Sequence, residues 1–201
     1  MNHLAHLLLA DGSPESIIGN FLGDFAKGQP EGRFPPAVVR GIRLHRRLDV
    51  FTDSHPAMLS AMEQLPRARR RYAGIAIDMA LDHILARDWH ARDAAGFAAF
   101  RRHAYAVLQT HNDLLTPRAR RIVPALAGDD WLLAYAQWQG INQALNGMSR
   151  RLSRPNPLAT MSDDLAAAWS AIEAGLRIFW PQVRVYAAVE QRRLTRHPGT
   201  A

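Results

Sequence analysis

Apolar residues recur along most of this chain at intervals of three and four, the spacing of one helix face. Ile17, Phe21 and Phe25 follow one another at i, i+4 and i+8, directly after Ser13-Pro14-Glu15. A serine N-cap with proline at the first helical position is a helix start, because the missing proline N–H has no helical partner there anyway. Residues 28–36 read as a loop rich in Gly and Pro. Val38, Ile42 and Leu48 mark the next helix, which runs to about Ser54. Pro56 disfavours helical geometry at His55 and breaks it there. A short helix over 57–65 and a longer one from Pro66 to about His90 follow. Asp93 caps another, with Phe97, Phe100, Ala104, Val107, Leu108 and His111 along one face. Thr116-Pro117 is a second cap-then-proline start. Asp129-Asp130 precede a helix over 131–138 that continues past Gly140 towards Leu152. Residues 153–162 read as a polar loop. Ser162-Asp163-Asp164 open a final helix that Pro181 kinks or ends, and the chain frays from His197. The one alternating run, 183–189, is short and lies beyond a helical pattern. The pattern predicts one all-α domain over residues 1–201, of roughly seven to nine helices.

Composition narrows the function classes. A chain of 201 residues can bury one full core. With 48% apolar and 21% charged residues it is not a disordered chain. The absence of cysteine excludes a disulfide scaffold, a thiolate zinc site and a thiol nucleophile. No apolar run is long enough to span a bilayer. The first ten residues lack a basic leader and a cleavage site, so the expected location is the cytoplasm. The formal charge is +7, from 25 basic and 18 acidic residues. The excess has two readings: attraction to an acidic partner, or coding bias, since every basic residue but Lys27 is arginine.

The acids are more informative. Asp outnumbers Glu, although Asp is the poorer helix former and favours caps and turns. Several Asp fall on apolar helix faces instead. Asp24 lies three residues after Phe21 on the stripe that Ile17 begins. The steps Val38, Ile42, His45, Asp49 continue one face, with Asp53 a turn further. Ile75, Asp78, Asp82, Leu85 do the same, and His83 follows directly. Side chains three or four apart on a helix are neighbours, so His45/Asp49 and Asp78/Asp82 can each present two ligands to one ion. Carboxylate oxygen with imidazole nitrogen suits Mg²⁺, Mn²⁺ or Fe²⁺. The competing readings are structural. Asp49 can pair with Arg46 or Arg47, Asp82 with a nearby Arg, and His83 can be a hydrogen-bonded core histidine. His3 and His6, at i and i+3, can join a ligand set. Asn20 stands in a Gly-Asn context where a turn role is the default. No phosphate loop, nucleophile elbow or dinucleotide fingerprint is present.

Several strings occur together: Met1-Asn2-x-Leu4-Ala5-His6-Leu7, Gly19-Asn20-Phe21-Leu22-Gly23-Asp24-Phe25, and Gly41-Ile42-x-Leu44-His45-Arg46-Arg47-Leu48-Asp49 with Thr52-Asp53. Asp78 with Asp82-His83 and Leu145-Asn146-Gly147-Met148 complete them. On these residues the chain resembles the acyl carrier protein phosphodiesterases over nearly its whole length. The resemblance implies an all-helical relative of the HD phosphohydrolases, although Asp82-His83 reverses the usual His-Asp order. It implies hydrolysis of the phosphodiester joining 4′-phosphopantetheine to a serine of holo acyl carrier protein, with a divalent metal, manganese favoured. The residue expectations are then Asp24, His45, Asp49, Asp78 and Asp82 as metal ligands, and His83 or His6 as general acid. Arg43 and Arg46, with Asn20, are expected to hold the substrate, guanidinium matching phosphate geometry. The acidic carrier protein is the expected partner. Two other classes fit the residues less closely: a related metal phosphohydrolase acting on a nucleotide or small phosphate ester, and a basic helical module that binds nucleic acid.

Overall fold

A computed structural model describes residues 1–196, and the fraying expected from His197 lies outside them. The first half of the chain forms α1 (His3–Leu8), α2 (Pro14–Leu22), α3 (Pro36–Ser54), α4 (Pro56–Glu63), α5 (Arg70–Arg92) and α6 (Ala94–Thr110). The second forms α7 (Pro117–Gly128), α8 (Trp131–Ala134), α9 (Trp138–Arg151), α10 (Met161–Ala167) and α11 (Trp169–Arg196). Short 3₁₀ turns lie at Arg67–Arg69, Asn112–Leu114 and Leu158–Thr160. No strand occurs among the described residues, and no helix there is long and apolar enough to cross a membrane. The all-α expectation holds.

Three of the expected caps form, whereas Asp130 makes no side-chain cap before Trp131, and Asp163 and Asp164 lie inside the first turn of a helix that starts at Met161. The hydroxyls of Ser13 and Thr116 accept from the amides of Ser16 and Ala119, and Asp93 accepts from Gly96 N at 2.8 Å. The boundaries differ: α1 has no counterpart in the pattern, the helix expected from Pro66 begins at Arg70 after a 3₁₀ turn, and the final helix expected from Ser162 is two, α10 and α11. Helix α2 stops at Leu22, where Gly23 closes it and Leu22 O accepts from both Phe25 N and Ala26 N. Asp24 and Phe25 therefore sit in a turn and not on the α2 stripe. The segment from Trp131 is two helices, turned so tightly that a Cβ on Gly140 would lie 1.9 Å from Ala134 O. Part of the expected loop over 153–162 is instead the 3₁₀ turn and the start of α10. Helix α11 runs through Pro181, and the alternating residues 183–189 belong to it.

Helix α5 is the axis of the fold. Ala76, Ile77, Met79, Ala80 and Leu81 are fully buried on it, and α1, α4, α6, α9, α10 and α11 all pack against it. The most extensive helix pair is α2 against α3. Their backbones touch: a Cβ on Gly19 would lie 2.4 Å from Val38 O and 2.6 Å from Gly41 Cα. Two glycines facing each other let the helices approach closer than any side chain permits.

Gly19→Ala is expected to lower folding stability by about 1–3 kcal/mol through this clash with backbone atoms. Urea unfolding would show a lower midpoint. An unchanged midpoint would mean that the α2–α3 spacing is not tight.

Candidate metal centre

The site begins with a buried anchor. Asp82, on α5, has no solvent exposure. One of its oxygens accepts from Leu4 N at 2.9 Å and Asn2 Nδ2 at 3.1 Å, and the other from Ala5 N at 2.9 Å. Two of these donors are first-turn amides of α1, which have no partner within their own helix. Asp82 thus caps α1 from another helix. Burial pushes its carboxyl up to about 7, against the pull of the Leu4 and Ala5 amides. The cap fixes α1 so that His6 faces α3.

There His6 meets His45 and Asp49. The two imidazoles stack with centroids 3.6 Å apart and planes within 16°. His6 Nε2 lies 3.0 Å from Asp49 Oδ1, and His45 Nε2 lies 3.0 Å from Asp49 Oδ2. One carboxylate therefore bridges two parallel rings. His45 Nδ1 is 2.8 Å from the carbonyl of Asn20, to which it donates, so Nε2 is the nitrogen presented to the acids. The ring fits only because residue 23 is glycine: a Cβ there would lie 2.0 Å from His45 Cγ. Asp24 Oδ1 comes within 3.5 Å of His45 Nε2, and Asp24 Oδ2 within 3.6 Å of His3 Nδ1. The terminal ammonium of Met1 lies 3.1 Å from Asp49 and 3.4 Å from Asp78.

Electrostatics separates the two rings. Burial and the neighbouring His45 hold His6 down to about 3. Burial also opposes charge on His45, but Asp24 and Asp49 outweigh it and push His45 up to about 9. The Asp49 carboxyl stays well below the usual range, since hydrogen bonds from His45 and His6 outweigh its partial burial. Burial raises Asp78 to about 6.

The donor set fits a divalent ion of intermediate hardness. One ligand atom from each of His6, His45 and Asp49 lies within 4.8 Å of the others, and all three are nitrogen or carboxylate oxygen. Each imidazole directs Nε2 at the shared carboxylate, while His6 Nδ1 is buried with no partner. Asp24 and Asp78 flank this trio.

Of the remaining expected residues, only Asp24 reaches the cluster. Asp24 is 43% exposed, because α2 ends before it, yet its carboxylate reaches the cluster. Asp82 is committed to α1 and Asn2, both of its oxygens accepting there. His83, one residue on, points to a different neighbourhood: Nδ1 donates to Tyr135 O at 2.7 Å and the ring sits edge-on to Trp138 and Trp169. That is the core-histidine arrangement, and none of these partners belongs to the cluster. Arg43 pairs with Glu31. Arg46 donates to the carbonyls of Ala26 and Gly28, holding the loop after α2. Asn20 is fully buried: its Nδ2 donates to Ser16 O, and its backbone carbonyl accepts from His45 Nδ1. Asp53 is exposed. Sequence reasoning missed the Met1 ammonium and Asn2, whose only signal was their place in the opening string.

Asp82→Ala leaves at least two buried amides unpaired and is expected to cost about 2–4 kcal/mol of stability, read by urea unfolding. A loss below about 0.5 kcal/mol would contradict the capping role. Gly23→Ala is expected to weaken Mn²⁺ binding about 10–100-fold by displacing the His45 ring, with helix content retained. Titration calorimetry showing wild-type affinity would mean that the ring position does not matter.

Residues 1–183 match the family model described as acyl carrier protein phosphodiesterase. The curated protein of that name from Serratia proteamaculans is 35% identical over 192 residues, covering 95% of this chain and 100% of its own. That from Shigella boydii is 38% identical over 190 residues, covering 94% and 98%. That from Photorhabdus laumondii is 35% identical over 181 residues, covering 90% of each. No solved structure matches the chain. The chain belongs to the acyl carrier protein phosphodiesterase family.

Proposed function

We propose that this protein hydrolyses the phosphodiester linking 4′-phosphopantetheine to serine in holo acyl carrier protein, releasing apo carrier protein and 4′-phosphopantetheine. The family supports the substrate. The observation that carries the chemistry is the meeting of His6, His45 and Asp49 around one point, with Asp24 and Asp78 beside it. These residues would hold a divalent metal, Mn²⁺ by preference, with Mg²⁺ and Fe²⁺ also suited to the donors. Bound there, such an ion lowers the pKa of a water and polarises a phosphoryl oxygen.

The chain's own groups prepare that site. Asn20 O fixes the tautomer of His45, the arrangement by which an outer partner aims a metal ligand, and Asp49 lies 3.0 Å from both rings. Asp82 acts one step further out, holding α1 so that His6 arrives in register. His6 is assigned to the metal and not to proton donation, because its Nε2 is turned to Asp49. His83 is left outside the mechanism, as are Arg43 and Arg46, whose guanidiniums are occupied. A basic protein acting on an acidic one gains from electrostatic steering, which is screened by salt.

Incubation of holo acyl carrier protein with enzyme and Mn²⁺ is expected to remove the mass of phosphopantetheine, seen by intact-protein mass spectrometry. Chelation, or Asp49→Ala, is expected to reduce this to background. Turnover that persists in both would exclude the proposed centre. Cleavage of nucleotides with none of holo carrier protein would transfer the centre to another phosphate ester.

A further inference from the structure

A groove of about 370 Å³ opens beside the cluster. Met1, His3, Asp24 and Asp78 line it, so it reaches the cluster's carboxylates. Its lining also includes two arginines from later in the chain: Arg118, in the first turn of α7, and Arg151, the last residue of α9. Neither has an ion pair to a carboxylate among the described residues. The guanidinium of Arg118 lies 5.9 Å over the ring of Phe25, which follows Asp24 in the turn. Ile122 and Met148 add apolar surface to the same groove.

An anionic phosphodiester moving towards Asp24 and Asp78 meets two carboxylates, which the buried Met1 ammonium 3.4 Å from Asp78 balances only in part. A groove that admits it needs further cations that face it. Arg43, Arg46 and Arg47 do not meet this need, since each is held by an acid or a carbonyl of its own chain. Arg118 and Arg151 have the forked donors that match phosphate oxygens and lie in the groove itself. The apolar surface of Ile122 and Met148 in the same groove suits an aliphatic arm.

We infer that Arg118 and Arg151 bind the phosphate end of the phosphopantetheine arm in this groove, as positioning residues for the hydrolysis proposed above. This rests on that reading for the identity of the arm. Their role is recognition of the phosphate, and not of the acidic surface of the carrier protein.

The test is equilibrium binding of free 4′-phosphopantetheine and of pantetheine, at one fixed Mn²⁺ concentration, to wild type, Arg118→Ala, Arg151→Ala and Arg118→Lys. Each alanine variant is expected to bind 4′-phosphopantetheine about tenfold more weakly while its affinity for pantetheine is unchanged. The lysine variant recovers part of the loss. Circular dichroism checks that all variants fold. Unchanged affinity for 4′-phosphopantetheine, or an equal loss for both ligands, overturns the inference. A second arm compares KM for holo carrier protein with KM for a phosphopantetheinylated serine peptide that carries no acidic residues. A rise for both substrates supports the inference, and a rise for the carrier protein alone overturns it. If wild type cleaves neither substrate, the proposed function fails, and the binding arm still decides the role of the arginines.

Discussion

A carboxylate with no solvent exposure is costly unless donors reach it. Asp82 finds its donors at the opposite end of the sequence, in Asn2, Leu4 and Ala5. This contact organises the site. Helix α1 has six residues, too few to be stable alone, so it persists because it docks. Its docking point is on α5, the helix that most others touch. The beginning of the chain is thereby tied to the centre of the core, and His6 is carried to α3.

The second half of the cluster depends on a different constraint. His45 and Asp49 lie on α3, whose position is set by the backbone contact between Gly19 and Gly41. The end of α2 and its closing glycine perform three tasks in five residues. Gly19 admits α3, the Asn20 carbonyl accepts a hydrogen bond from His45 Nδ1, and Gly23 leaves space for the ring. A donor set spaced within a few ångströms tolerates little play, so each of its two halves is fixed to a larger body. Side chains on a mobile loop would lose the register that makes one carboxylate bridge two rings.

Much of this was legible in the sequence, and the parts that were not share a cause. Helix faces follow from local spacing, as at Val38, Ile42, His45 and Asp49, and the pair His45/Asp49 does meet at 3.0 Å. Caps at Ser13, Asp93 and Thr116 are local as well. Asp82 shows where local reasoning stops. Its spacing from Asp78 is that of a ligand pair, but the groups that satisfy it are amides nearly eighty positions earlier, which no spacing reveals. Asp24 fits the apolar stripe of α2 by number, but the helix ends at Gly23, and a short acid then reaches the cluster from a turn. For His83 the neighbouring Asp suggested chemistry, whereas successive helix positions point about 100° apart and its partners are two indoles and a carbonyl. Arg43 and Arg46 looked available because the loop that engages them has no pattern of its own.

The net charge of +7 acquires a similar qualification. The segment 67–121 carries the largest excess, yet it includes Arg87, bound to Asp88 and Glu173, and Arg101, buried against Asp130. Each paired arginine still counts in the field that an approaching acidic protein feels, but its partner cancels it at that range. The two contributions to recognition therefore separate. Attraction at a distance follows the net excess and weakens with salt. Contact at the site follows which guanidiniums retain free donors, and composition does not report that. An arginine-rich chain in which many arginines brace the fold offers fewer of them to a partner than its total suggests.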